Sequence, residues 1–124
     1  MSDIYFISGH LDLTDQEFLD HYKVIIDKAL KDNSLFVVGD ARGADSLAQK
    51  YLSVKTNNVT VYHMFDSPRN NYGFLTRGGF NSDSSRDKQM TLDSDIDICW
   101  IREGREHSGT ARNKLRREKL KANP

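Results

Sequence analysis

The stretch LFVVGDARGADSLAQKYL, residues 35–52, decides the predicted fold. Its apolar start, 35–38, predicts a strand that stops at Gly39, and small residues follow as far as Asp45. Apolar residues then recur at helical spacing: Ala44, Leu47, Ala48, Tyr51 and Leu52. The pattern predicts a strand, a glycine loop and a helix in that order.

The glycine loop has a direct chemical implication. A helix N-terminus that is reached through glycines presents unpaired backbone N–H groups, with the positive end of the helix dipole behind them. We therefore expect the loop 39–45 to bind a phosphate, with Arg42 adding positive charge.

Length and composition predict one domain, residues 1–124, with a modest core. Cys99 is the single cysteine, so no disulfide forms within the chain, and a reducing, cytoplasmic location is expected. The chain enters a predicted strand at once, without the pattern of a signal peptide. No apolar run approaches the roughly 20 residues of a membrane span, so no membrane partner is expected.

The charges are balanced overall but unevenly distributed. Residues 1–41 have a net charge of −5, and residues 102–124 have a net charge of +5. The basic segment is either a solvated helix face, a surface near an anionic ligand, or one side of a contact within or between subunits. The neutral total argues against bulk nucleic-acid binding.

Strands and helices alternate along the whole chain. A capping box at Thr14 and Glu17 opens the first helix, which ends near Lys31, and further helices are predicted at 44–52, 86–92 and 110–121. Strands are predicted at 4–8, 35–38, 59–65 and 95–101. This alternation predicts an α/β fold, a three-layer Rossmann-like sandwich with a small, mainly parallel sheet.

Residues 66–85 show no clear period and are predicted to form a long loop, with Ser84 or Ser85 capping the helix that follows. The loop is either disordered or a lid over the site. As a lid it would offer aromatic stacking surfaces and positive charge from Tyr72, Phe74, Phe80, Arg69 and Arg77.

Polar segments follow each predicted strand. In parallel sheets, ligands bind beyond the carboxyl ends of the strands, where these segments would meet. They are the turn Ser8-Gly9-His10, the loop 39–45, the long loop with Arg86 at its end, and the turn Ser108-Gly109-Thr110. Two small-residue turns entering helices, with two arginines nearby, predict a phosphate or nucleotide site.

Individual side chains allow more than one interpretation. His10 is either a general acid or base, or a hydrogen-bonding loop residue. Asp45 is either a favourable acid at a helix N-terminus or an acceptor for a sugar hydroxyl or for loop N–H groups. Asp93, Asp95 and Asp97 alternate as metal ligands can, but they flank a helix end and a strand start, so neither a metal site nor a cofactor is predicted. The signature of P-loop nucleotide hydrolases is absent.

Three segments resemble a known family. The sequence GDARGAD at 39–45 resembles the GGARGAD-type loop of the YspA-like branch of the SLOG superfamily. RDKQM at 86–90 resembles its RNxxM segment, and SGT at 108–110 resembles its SGGT or GT loop. The matches fall in the family's order and span about residues 4–117.

The superfamily is similar in fold to the LOG phosphoribohydrolases and to DprA, and its members are thought to bind nucleotides or nucleotide-derived ligands through these loops. Related folds often form dimers, so a homodimer is also expected. The resemblance implies a pocket lined by Gly39, Arg42, Gly43, Asp45, Arg86, Gly109 and Thr110, with Ser108 in the same turn and a less specific match at Ser8 and Gly9.

The chain departs from this pattern at two points. Asp40 stands where the family usually has a second glycine, and a carboxylate there would repel a phosphate unless it points away or pairs with Arg42. The LOG signature places a glutamate after its GT loop, whereas here Ala111, Arg112 and Asn113 follow. The binding half of the resemblance is therefore the stronger half.

Three functions remain in view. The leading one is binding of a nucleotide or nucleotide-derived ligand at the carboxyl edge of the sheet. The second is an enzyme, a nucleoside or nucleotide N-glycosidase or deoxyribosyltransferase, with Asp45, Glu103, Glu106 or His10 as catalytic candidates. The third is a nucleic-acid-binding module that uses the basic C-terminal helix.

Overall fold

Five strands form one parallel sheet in the computed structural model, which describes residues 3–122. Its order is β4-β3-β2-β1-β5, and every neighbouring pair is parallel. The predicted domain 1–124 therefore includes four terminal residues that lie outside the described part. The strands are β1 Ile4–Ile7, β2 Leu35–Gly39, β3 Val59–Met64, β4 Leu75–Phe80 and β5 Ile96–Ile98.

Helices cover both faces of the sheet and confirm the three-layer α/β sandwich. One face packs on α1 (Asp15–His21), α2 (Lys23–Lys31) and α3 (Ala44–Ser53), and the other on α4 (Asp83–Asp93) and α5 (Gly109–Ala122). The larger core lies under the first three helices, around Ile7, Val38, Phe18, Ile26 and Leu52. A smaller core joins Met90 of α4 to Phe6, Val37 and Tyr62.

The first predicted helix is two helices. The capping box is confirmed: Glu17 N–H donates to the Thr14 hydroxyl at 3.1 Å, and Thr14 N–H donates to Glu17 Oε1 at 3.0 Å. The helix then breaks at Tyr22, whose backbone φ of −118° ends α1 and starts α2. The buried Tyr22 hydroxyl donates to the Ser8 carbonyl at 2.8 Å and accepts from Trp100 N–H at 3.1 Å. The break thus fixes the end of β1 against the segment after β5.

The prediction of a structureless loop over 66–85 was wrong. Residues 75–80 form β4 beside β3, and α4 begins at Asp83 behind an N-cap at Ser82, not at Ser84 or Ser85. Phe74 is buried in the larger core, and Phe80 stacks on Tyr62 with the ring centroids 5.9 Å apart. Neither ring is therefore an open stacking surface.

The strand predicted over 95–101 is shorter, since β5 contains only Ile96–Ile98. Ser8 N–H donates to the Ile98 carbonyl at 3.1 Å, so the ends of β1 and β5 lie side by side. In the part of the chain that the structure describes, no helix has the length and apolar character needed to cross a bilayer.

Candidate functional site

A cavity of about 300 Å³ opens at the carboxyl edge of the sheet. Its wall includes the segment after β1, the loop after β2, and the first turns of α3, α4 and α5. Most of the predicted binding residues line it, together with His10: Ser8, Gly9, Asp45, Arg86, Ser108, Gly109 and Thr110. The turns after β1 and before α5, which were predicted to meet the loop after β2 and Arg86, therefore lie with them around one cavity.

The loop 39–45 contributes to this cavity in a different way from the one expected. Gly43 has a φ of +75°, and a side chain there would lie 2.4 Å from the carbonyl oxygens of His10 and Leu11. The backbone N–H of Ala44 donates to the His10 carbonyl at 3.1 Å. The start of α3 is thus docked on the segment after β1, and Gly43 is not part of the cavity wall.

Gly39 and Arg42 also lie outside the cavity wall. Arg42 is exposed. A Cβ at Gly39 would lie 2.5 Å from Asp45 Oδ2 and 2.9 Å from Arg86 Cζ. Glycine at this position therefore makes room for two buried charged side chains. The loop shapes the floor of the cavity and does not present an open phosphate cradle.

Asp40, the residue that departs from the family pattern, is the centre of a buried ion network. Arg86 Nη1 donates to Asp40 Oδ1 at 2.8 Å. Arg69 binds the same carboxylate through its backbone N–H at 2.8 Å and through its guanidinium at 2.8 Å. Burial alone would raise the pKa of Asp40, but the hydrogen bonds and charges of the arginines hold it below its usual value. Asp40 is therefore paired with Arg86 and Arg69, and the predicted pairing with Arg42 is wrong.

Arg86 forms several ion pairs within the protein. Besides Asp40, it forms ion pairs with Asp87 at 2.8 Å and with Asp83 at 3.1 Å. Burial lowers the pKa of Arg86, but the nearby carboxylates of Asp87, Asp45 and Asp83 outweigh this effect and raise it above its usual value. Arg86 was predicted to offer free positive charge to a phosphate, but three carboxylates of the protein already pair with that charge.

Asp45 is a buried carboxyl group on the cavity wall. Ala41 N–H donates to its Oδ2 at 3.1 Å, and no other donor within residues 3–122 reaches the group. Burial raises the pKa of Asp45 to about 7; nearby Arg86 opposes this rise, and Asp87 adds to it. A carboxyl group that titrates near neutrality inside a cavity can donate or accept a proton.

His10 lines the cavity with its ring nearly buried. Its Nε2 accepts the backbone N–H of Arg102 at 2.8 Å, so the neutral ring carries its proton on Nδ1. Burial, then the charges of Arg102 and Arg105, lower the pKa of His10. The ring therefore serves as a neutral structural acceptor, and its Nδ1–H is a donor.

The two glutamates among the catalytic candidates, Glu103 and Glu106, lie away from the cavity. Glu106 is exposed and accepts the Gly104 N–H at 3.2 Å, and it faces a shallow groove beside Lys114 and Leu115. Glu103 is also exposed. Neither glutamate is part of the cavity wall.

The start of α5 has groups that are free to bind an anion. In the described chain, the backbone N–H groups of Gly109 and Thr110 have no backbone acceptor. Thr110 Oγ1 lies 2.9 Å from the Ser8 hydroxyl, which connects this helix to the end of β1. Arg112 lines the cavity, and its one hydrogen bond is to the carbonyl of His107, at 3.0 Å. Among residues 3–122, no carboxylate forms an ion pair with Arg112.

Sequence reasoning missed several residues of the wall: Asp83, Asp87, Arg105, Arg112 and Asn113. Helical spacing could have indicated Asn113, which lies one turn after Gly109 in the same helix. Arg69 was predicted only as a charge on a lid, because its contact with Asp40 depends on the fold of the segment between β3 and β4.

The alternating aspartates have structural partners. Asp93 accepts from Tyr62 and Arg77, Asp95 accepts Ile4 N–H at 2.9 Å, and Asp97 pairs with Arg117 at 3.0 Å. Within residues 3–122 no group of three or more histidine, cysteine or acidic side chains is arranged to hold a metal ion.

The basic surface of α5 is smaller than its sequence suggests. Arg117 is buried and also donates to Ser94, and Arg116 contacts Ser84 at 2.9 Å. Lys114, Lys119 and Lys121 are the lysines of α5, and all three are exposed. The nucleic-acid-binding function and the homodimer both stay predictions.

No family model, curated protein or solved structure matches this chain. The site is therefore interpreted from its own geometry, and membership of the SLOG superfamily stays a prediction.

Proposed function

We propose that the cavity at the carboxyl edge of the sheet binds a nucleotide or a nucleotide-derived ligand, with its anionic group at the start of α5. The observation that carries this proposal is the coincidence of the unpaired N–H groups of Gly109 and Thr110 with the uncompensated Arg112. A 14-residue helix adds its dipole at the same point.

Other residues of the cavity wall suit the neutral part of such a ligand. Asp45 and Asp87 lie on the cavity wall with Asn113, whose amide donates to Asp87 at 3.1 Å. Carboxylates accept hydrogen bonds from hydroxyl groups and repel phosphates. A ligand with an anionic end and a hydroxylated middle, such as a ribose phosphate unit, fits this distribution of charge.

Thermal shift with a panel of nucleoside 5′-monophosphates tests the proposal. We expect at least one to raise the Tm, and Arg112→Ala to remove the rise. Arg42→Ala is the matched control, because Arg42 is exposed and outside the cavity wall. If no nucleotide raises the Tm, or if Arg42→Ala alone removes the rise, the proposed site is wrong.

The enzyme remains a second candidate because of Asp45. Among the catalytic candidates it is the one that is buried in the cavity wall and titrates near neutrality. In hydrolysis of an N-glycosidic bond, the bond from C1′ to the base would break as the base takes a proton from Asp45. Water would add its oxygen to C1′, and the proton that this water loses would return to Asp45. Release of free base from a nucleoside monophosphate, abolished in Asp45→Asn, would support this function. Binding without base release would contradict it.

A further inference from the structure

A second cavity, of about 390 Å³, lies beside the first along the same edge of the sheet. It is bounded by the end of β2 and the end of β3, and Arg69 is part of the wall of both cavities. Its lining is Asp40, Met64, Phe65, Asp66, Ser67 and Arg69.

Phe65 is the unusual residue of this second cavity. It is 62% exposed, yet its backbone has a left-handed φ of +53°, which is rare for a bulky residue. Two hydrogen bonds to β4 hold this conformation: Phe65 N–H donates to the Phe80 carbonyl at 3.0 Å, and Gly79 N–H donates to the Phe65 carbonyl at 2.9 Å. The aromatic ring is therefore presented to solvent at the rim of the cavity by a constrained backbone. Strained positions that the surrounding structure enforces are concentrated at ligand sites.

The sheet order sets the distance between the two cavities. The first lies at the end of β1 and the second reaches the end of β3, with β2 between them. Two steps between neighbouring strands correspond to about 10 Å. Arg69 stands at the junction, held by Asp40 at 2.8 Å and by Asp83 at 2.8 Å. A ligand with two parts joined by a linker of this length would pass over this side chain to occupy both cavities.

The charges of the two cavities differ. The first contains the free N–H groups of α5 and Arg112, whereas Arg69, the cation of the second, is already paired with carboxylates. Asp66 is exposed in the second cavity and adds negative charge. An anionic group is therefore favoured in the first cavity, and an uncharged flat group in the second.

We propose that the second cavity holds the nucleobase of the bound nucleotide, stacked on the ring of Phe65. This inference rests on the proposed function and adds the position of the base and the residue that recognises it. Stacking on an aromatic side chain tolerates any base, because every base has a π face. The exposed carboxylate of Asp66 in this cavity additionally favours bases with exocyclic amino groups, since these donate hydrogen bonds.

Calorimetric titration with adenosine 5′-monophosphate and with ribose 5-phosphate separates the base from the sugar phosphate. We expect the wild-type protein to bind the nucleotide more tightly than the sugar phosphate. Phe65→Ala should weaken nucleotide binding about 10-fold and leave ribose 5-phosphate binding unchanged. Phe65→Trp, which keeps a stacking surface, should retain tight binding.

Tyr72→Ala is the matched control, since Tyr72 is 46% exposed but lines a separate groove beside Phe18 and Lys50. It should leave both affinities unchanged. If Phe65→Ala binds the nucleotide as well as the wild type does, while Arg112→Ala loses it, base stacking on Phe65 is wrong and the proposed function stands. If neither compound nor any other nucleoside monophosphate binds the wild-type protein, the proposed function fails and this inference fails with it.

Discussion

The Arg86 guanidinium donates a 2.8 Å hydrogen bond to the Asp40 carboxylate, and both side chains are buried beneath the candidate site. This pair joins the end of β2 to the first turn of α4. Asp40, whose negative charge argued against a phosphate-binding loop, instead forms ion pairs with two arginines. The floor of the cavity thus depends on an ion network more than on the glycines of the loop.

Removing the Asp40 carboxylate is expected to destabilise the protein strongly. Asp40→Ala leaves Arg86 buried without this partner, and loss of one member of a buried ion pair costs about 3–5 kcal/mol. Urea denaturation of the two proteins measures the difference. Asp83→Ala is the control, because its side chain is 57% exposed and its loss should cost about 1 kcal/mol or less. Equal effects of the two variants would contradict a central role for Asp40.

His10 should make stability depend on pH in the acidic range. Its pKa is lowered in the folded protein, so the unfolded chain binds a proton at a higher pH than the folded chain does. The contribution of the neutral ring is complete above about pH 6.5 and is lost as the pH falls below that value. His10→Gln keeps an acceptor for Arg102 N–H but does not titrate.

We therefore expect the free energy of unfolding of His10→Gln to fall less than that of the wild type between pH 7 and pH 5. Chemical denaturation at each pH measures it. His107→Gln provides the control, since His107 is exposed and should leave the wild-type pH dependence in place. Parallel curves for wild type and His10→Gln would show that the Arg102 contact does not require a neutral ring.

Asp45 should have the opposite pH dependence. Because its pKa is raised to about 7, the folded chain holds a proton that the unfolded chain loses near pH 4. The stability due to the protonated group is therefore complete below about pH 4 and is lost as the pH rises toward 7. Asp45→Asn mimics the neutral form, so its Tm relative to the wild type should increase from pH 5 to pH 8. A constant difference in Tm would contradict the raised pKa.

Gly43 should tolerate no side chain. Gly43→Ala places a Cβ in the left-handed backbone region and within 2.4 Å of two carbonyl oxygens. Gly104→Ala is a matched control, because Gly104 has a φ of +86° with no atom within 4 Å of the added Cβ. Backbone strain alone costs about 1–3 kcal/mol, so Gly43→Ala should be clearly worse than Gly104→Ala in thermal denaturation. An equal loss of Tm in the two variants would mean that the backbone of residues 10 and 11 moves away from the added Cβ at little energetic cost.

The sequence predicted the strands with buried, β-branched residues and the loops that meet at the cavity. It missed β4 because LTRGGF is exposed on a sheet edge, has two adjacent glycines and lacks the alternation of a half-buried strand. The break at Tyr22 was also invisible, because the apolar pattern continues across it while the hydroxyl bonds distant backbone groups.

Within the site, the sequence identified segments better than individual roles. Ser8, Gly109 and Thr110 were placed correctly because the ends of parallel strands and the helices after them share one edge. Arg42 was not, since the direction of a side chain in a short loop depends on how the loop docks. Asp40, Arg69 and Phe65 are defined by contacts between distant segments, which local patterns do not reveal.

The pairing of Tyr5 with Ile96 has a consequence for the order of folding. The pairing of β1 with β5 joins residues that are 91 positions apart in the chain. The other three pairings, β1 with β2, β2 with β3 and β3 with β4, join segments that are much nearer in the chain. Closing the longer loop costs more entropy, so β5 and α5 are expected to dock after the other strands have assembled. The cavity is completed in that final step. A ligand bound there would contact both α5 and the segment after β1, and would therefore stabilise the docking of β5 and α5 on the rest of the sheet.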